Sequence, residues 1–195
     1  MKRIIFDRDG VLHRDPKVVL ENVLDSFGNK YRITKDQIVG NGYVIPEHLF
    51  KTEQGLEIQK RFQTVYLAQK ISKDGIKRLE KFKKMGSLEI LTYNPKVDIL
   101  REMLTASQAE HFFDSINFCD RNHPNQSKLN YLKLIRGETN SNVDIVFITD
   151  TLSDLEEARD SEINTILYFV SEGWNIPKEV FDLVDPKNIM KPFYS

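Results

Sequence analysis

Residues 2–12 read KRIIFDRDGVL. The apolar run Ile4-Ile5-Phe6 gives way to Asp7 and Asp9, with Gly10 directly after. So short a run, with no polar alternation, predicts a strand buried on both faces. Two residues apart in extended chain, the carboxylates share a face about 6.5 Å apart by strand rise. Gly10 permits a turn there at no side-chain cost. Like charges this close destabilise each other unless a cation lies between them. Carboxylate oxygens are hard ligands suited to Mg²⁺. The plainer reading is a solvated turn after an edge strand, and a second acid pair further along the chain weighs against it.

That second pair follows another apolar run. Val143 to Thr149 predicts a strand leading into Thr149-Asp150-Thr151-Leu152-Ser153-Asp154. A short acidic helix with Leu155 and Ala158 inside it follows, for which Ser153 is the expected cap. Asp154 then falls in the first turn, where the helix dipole favours an acid. The plain alternative for Asp150 and Asp154 is helix capping alone.

Further strands are predicted over Leu88 to Thr92, Thr165 to Val170 and, more weakly, Ser115 to Cys119. Helical patterns separate them: Gly75 to Lys84, the stripe Val97, Leu100, Met103 and Leu104, and the stripe Leu129, Leu132 and Ile135. Strands alternating with helices predict an α/β fold with a Rossmann-like, doubly wound parallel sheet. In such sheets ligands collect beyond the carboxyl ends of the strands.

Pro16 to Ser72 has helical patterns and no convincing strand. One helix holds Val18, Val19, Val23 and Phe27 and stops at Gly28. Thr34 to Val39 reads as a helical turn, and Gly40, Gly42 and Pro46 mark a loop. Glu53 to Lys70 reads as a long helix. A small helical cap inserted after the first strand is therefore expected, with residues 16–72 as the cap and 1–15 with 73–195 as the α/β domain. The tail from Asp182 predicts a last strand and a short helix at the sheet edge.

The remaining strand ends supply groups for phosphate. Thr92, followed by Tyr93 and Asn94, offers a hydroxyl, loop N–H groups and an amide. Lys128, at a helix start, offers a point charge. Lys133 is a rival deeper in that helix. His13 and Arg14 are candidates for substrate contact, or merely line the linker. Cys119 lacks a diagnostic basic partner for nucleophilic work.

Taken together, these motifs resemble the haloacid dehalogenase superfamily, in its phosphatase branch with a helical cap of the phosphoglycolate phosphatase type. The first motif is Phe6-Asp7-Arg8-Asp9-Gly10-Val11-Leu12, the second ends at Thr92, the third is Lys128, and the fourth runs Thr149 to Asp154. The resemblance implies that Asp7 is the nucleophile and Asp9 the general acid and base. It implies that Asp7, the Asp9 carbonyl and Asp150 hold Mg²⁺, supported by Asp154, while Thr92 and Lys128 bind the phosphoryl group. It further implies that the cap closes over the site. Two departures stand out: Thr149 where the family often has glycine, and Arg8 where many capped members have an apolar residue. The dehalogenases proper usually lack the second aspartate of the first motif, so Asp9 points to phosphoryl transfer.

Composition narrows the class. Lys and Arg number 28 against 29 Asp and Glu, a formal net charge of -1. This predicts no nucleic-acid partner and no membrane surface. One cysteine excludes an internal disulfide and a thiolate metal site. The expected protein is soluble and cytoplasmic, a monomer or homodimer that hydrolyses a small phosphorylated metabolite with Mg²⁺. A sugar-phosphate mutase and a non-catalytic phosphate-binding protein are the alternatives.

Overall fold

The computed structural model describes residues 2–27, 51–120, 122–138, 143–163, 165–170 and 176–194. The expectations for Gly28, the turn at 34–39 and the loop at 40–46 lie outside the described residues.

Six strands form one sheet: β1 (Lys2–Phe6), β2 (Gly86–Thr92), β3 (Ser115–Phe118), β4 (Asp144–Thr149), β5 (Thr165–Phe169) and β6 (Ile189–Met190), in the order β3-β2-β1-β4-β5-β6. Every pairing is parallel. The fold is thus the expected doubly wound parallel α/β sheet with a helical insertion after the first strand. β1 lies between β2 and β4, with Phe6 opposite Ile90 on one side and Ile148 on the other. The chain winds outward in one direction through β2 and β3, then in the other through β4, β5 and β6. The strand order therefore reverses beside β1, the place where doubly wound sheets open a crevice.

Both faces of the sheet are covered, which explains the absence of alternation in the strand sequences. Ile4, Phe6, Val146 and Ile148 face a cluster with Leu79 of α3 (Lys73–Met85) and Leu100 and Leu104 of α4 (Val97–Ala106). Ile5, Ile145 and Phe147 face Leu132 and Ile135 of α5 (Lys128–Glu138) and Ala158 of α6 (Leu152–Asp160). Each fully buried Ile, Leu or Phe side chain stabilises by about 1.5–3 kcal/mol.

The tail is more deeply built in than an edge element. After α7 (Lys178–Leu183) and the edge strand β6, the chain carries Phe193 into the core. Its ring stacks on Phe169 at 5.3 Å and meets Phe6 edge-on at 5.5 Å. The Arg78 guanidinium lies 4.2 Å from the Phe193 ring centroid and donates to the carbonyls of Lys191 and Pro192. The Phe193 N–H donates to the Val11 carbonyl, and its own carbonyl accepts from the Ser72 N–H and hydroxyl.

The chain divides into two compact units, Met1–His13 with Lys70–Ser195, and Arg14–Gln69. In the smaller unit α1 (Pro16–Phe27) packs on α2 (Glu53–Leu67) through Leu20, Val23, Leu24 and Ile58. Thr52 caps α2 by accepting from the Gly55 N–H at 3.0 Å. Among the described residues no helix is long and apolar enough to cross a membrane.

Candidate active site

Asp7 leaves the end of β1 with its N–H on the Ile148 carbonyl at 2.7 Å, so the β1–β4 pairing carries one residue into the loop. Its Oδ1 accepts from the Arg8 N–H at 2.7 Å. The turn then closes on itself: the Arg8 carbonyl accepts from Leu12 at 3.0 Å, and Gly10 donates to the His13 carbonyl at 2.7 Å. Gly10 sits at φ +78, a conformation that disfavours any residue with a Cβ. It also lies directly against the Asp150 carboxylate. The acids from the two strand ends, found separately in the sequence, are thereby brought together.

Lys128 joins them. It is the first residue of α5, its side chain is 2% exposed, and its ammonium lies 2.9 Å from Asp7 Oδ1 and 2.6 Å from Asp154 Oδ2. Asp154 Oδ2 also accepts from the Thr149 hydroxyl at 3.3 Å. Thr149, at the position where the resemblance favours glycine, thus supports the acid that follows. Lys133 is exposed and plays no part here.

Burial pushes the Asp7 carboxyl well above the ordinary range; Lys128 opposes this, and Asp154 and Asp150 add to it. Burial works against the Lys128 ammonium, but Asp7 and Asp154 outweigh it and hold its pKa above the usual value. Asp7 and Asp154 face this one ammonium and Asp150 acts on Asp7, so negative charge is in excess.

Thr92 is buried at the end of β2, and its hydroxyl accepts from the Asn94 N–H at 3.0 Å. The Asn94 side-chain oxygen accepts from the Lys96 N–H at 3.1 Å, which holds the amide within its own loop. Arg14 donates its N–H to Gln69 Oε1 at 2.7 Å. His13 is fully buried, and neither ring nitrogen has a hydrogen-bond partner among the described residues.

Several placements differ from expectation. Thr151, not Ser153, caps α6 by accepting from the Asp154 N–H at 3.3 Å, because the helix begins at Leu152, two residues earlier than a Ser153 cap requires. The Thr151–Asp154 spacing carried that signal. Arg8 is fully buried, with Nε 3.5 Å from Asp9 Oδ1 and Nη2 against the Met103 sulfur at 4.0 Å. Tyr93 turns toward Lys128 and Glu157, a direction for which the sequence held no signal. Of the expected metal set Asp7, Asp9, Asp150 and Asp154, the Asp150 carboxylate lies against the first-motif turn at Gly10, and Asp7 and Asp154 share the Lys128 ammonium. Among the described residues no three or more His, Cys, Asp or Glu side chains are arranged to hold a metal ion. Lys128 takes oxygens of Asp7 and Asp154, and Asp9 leans on Arg8. The donor chemistry nevertheless fits Mg²⁺: hard oxygens from two strand ends, excess negative charge, and an Asp150 carboxylate set against the first-motif turn.

No protein-family model matches the sequence, and no curated protein matches it. Solved structures do. A Thermotoga maritima protein provisionally assigned as a β-phosphoglucomutase is 24% identical, with 98% of this chain and 95% of that chain covered and a TM-score of 0.62. A dehalogenase with an intermediate complex is 17% identical over 93% and 89%, at a TM-score of 0.63. A Streptococcus pneumoniae hydrolase described as haloacid dehalogenase-like is 19% identical over 94% and 90%, at 0.57. The chain has the haloacid dehalogenase-like fold. Proteins of this fold carry names from different chemistries, so the reaction has to be argued from the side chains at the strand ends.

Proposed function

We propose that this chain is a Mg²⁺-dependent phosphomonoesterase for a small organic phosphate, acting through an aspartyl-phosphate on Asp7. The observation that carries the reading is the buried Asp7 carboxylate held 2.9 Å from the Lys128 ammonium at the crevice of the sheet. A carboxylate nucleophile divides a hard hydrolysis into two easier displacements. Asp7 attacks phosphorus and the ester oxygen leaves. Asp9, two residues on and part-exposed at 24% of its side chain, gives that oxygen a proton. It then takes the proton from the water that cleaves the acyl phosphate and regenerates Asp7.

Lys128 and the Thr92 hydroxyl would bind the transferring oxygens, and placing positive charge there lowers the barrier. The carboxylates of Asp7 and Asp150 and the Asp9 carbonyl would hold Mg²⁺, with Asp154 beside them. When bound, the ion neutralises phosphoryl oxygens and the excess of carboxylate charge. Cys119 is no rival nucleophile, since burial pushes its thiol up to about 11.

The test is phosphate release from para-nitrophenyl phosphate with Mg²⁺ and with a chelator, for wild type and Asp7→Asn. Turnover that needs the metal and is lost in the variant is expected. Turnover that survives Asp7→Asn overturns Asp7 as nucleophile. The likeness to the T. maritima protein keeps a sugar-phosphate mutase as the second reading. A mutase retains the phosphoryl group, so steady release of phosphate from simple esters counts against it.

A further inference from the structure

We infer that Tyr93 is a positioning residue for Lys128, gripping its main chain and underlying its side chain so that the ammonium stays on the reacting phosphoryl group. The inference rests on the phosphotransfer reading of Asp7 and Lys128.

Tyr93 follows Thr92 at the end of β2, yet its side chain turns to the start of α5. The phenolic oxygen accepts from the Lys128 N–H at 2.9 Å. Its proton goes to Glu157, whose Oε1 and Oε2 are each 3.2 Å away. A phenol has one proton and accepts through its lone pairs, and both capacities are used here. The Lys128 N–H belongs to the first turn of a helix, where N–H groups lack an intrahelical acceptor. Ser127 accepts from Asn130 at 3.2 Å, and Tyr93 supplies the acceptor for Lys128. The Tyr93 ring centroid is 4.9 Å from the ammonium, within range of a cation–π contact.

The contacts close a ring. Glu157 lies one turn beyond Asp154 on α6, and Asp154 Oδ2 takes the ammonium at 2.6 Å. Lys128 is therefore held at its backbone by Tyr93 and at its tip by Asp154 and Asp7. A lysine stem has considerable rotamer freedom. Fixing both ends removes the slack that would let the charge drift from a position where about 1 Å matters to rate. Tyr93 acts through Lys128.

The test uses the full chain with lysine labelled at Nζ. The ammonium signal of Lys128 is assigned by its loss in Lys128→Met, and Tyr93→Phe and Glu157→Ala are compared with wild type. Tyr93→Phe keeps the ring and the fold but removes the acceptor. We expect the Lys128 signal to shift or broaden in both variants. Tyr93→Phe should lower kcat for para-nitrophenyl phosphate about ten-fold with KM within about two-fold. An unchanged Lys128 signal overturns the inference. So does a changed signal with kcat kept within two-fold. If wild type itself releases no phosphate, the phosphatase reading fails, and the ammonium signal alone then decides whether Tyr93 holds Lys128.

Discussion

Gly10 and Asp150 share one small space: a Cβ built on residue 10 would lie 1.6 Å from Asp150 Oδ2. No rotation of a methyl relieves such an overlap, and φ +78 at Gly10 adds backbone strain. Gly10→Ala should therefore displace the Asp150 carboxylate and destabilise the chain by about 1–3 kcal/mol. Urea unfolding checks the loss of stability. A higher Mg²⁺ concentration for half-maximal phosphate release checks the displacement.

Removing the ammonium should be worse than removing either acid. Lys128→Met leaves Asp7 and Asp154 buried without their counter-charge, an arrangement that costs about 3–5 kcal/mol. The deficit should be largest at neutral pH and shrink on acidification, as the Asp7 carboxyl, already pushed up by burial, takes a proton. Unfolding midpoints at pH 7 and pH 5, for wild type and variant, would read both effects.

His13 is held neutral. Burial, then the nearby Arg8 charge, lowers its pKa from 6.5 to about 3. The unfolded chain therefore binds the proton first as pH falls, so the stability contributed by neutral His13 is full above 6.5 and is lost as pH drops toward 3. The slope over this window is about 1.4 kcal/mol per pH unit. Wild type should lose about 2 kcal/mol more than His13→Gln between pH 6.5 and pH 5. Parallel losses in the two proteins would mean that His13 is not the titrating group.

Cys119 is 2% exposed, with its thiol pushed up to about 11 by burial. A thiol reagent at pH 8 should label it only at the rate of unfolding. Labelling in native buffer and in urea separates the two cases, and fast native labelling would refute the placement.

Phe193 should carry much of the stability of the α/β unit. Phe193→Ala removes a ring in contact with Phe6, Phe82 and Phe169, and such truncations cost about 3–5 kcal/mol. Thermal denaturation measures it directly.

The strands were legible because a parallel sheet buried on both faces writes itself as short unbroken apolar runs, such as Ile4-Ile5-Phe6. Asp7, Asp150, Asp154 and Lys128 were legible because strand ends and a helix start fix where a side chain emerges. What the sequence hid depends on direction and on distant neighbours. Arg8 belongs to a residue type seldom fully buried, yet it lies buried beside Asp9 and Met103. Tyr93 carries no local signal for turning toward α5, since its partners lie 35 and 64 positions further on. Phe193 sits in a tail whose pattern gave only an edge strand, while its ring contacts come from β1, α3 and β5.

The hydrogen bonds of Phe193 to Val11 and Ser72 have a consequence for modularity. Val11 stands just before the chain departs at residue 14, and Ser72 just after it returns at residue 69. Both are fastened to the backbone of one residue, so the two stumps lie side by side whatever is spliced between them. The α/β unit supplies its own closure, and a short linker could replace the insertion without opening the core. A scaffold wired in this way can exchange its insert over evolutionary time while the strand ends bearing Asp7 and Asp150 keep their register.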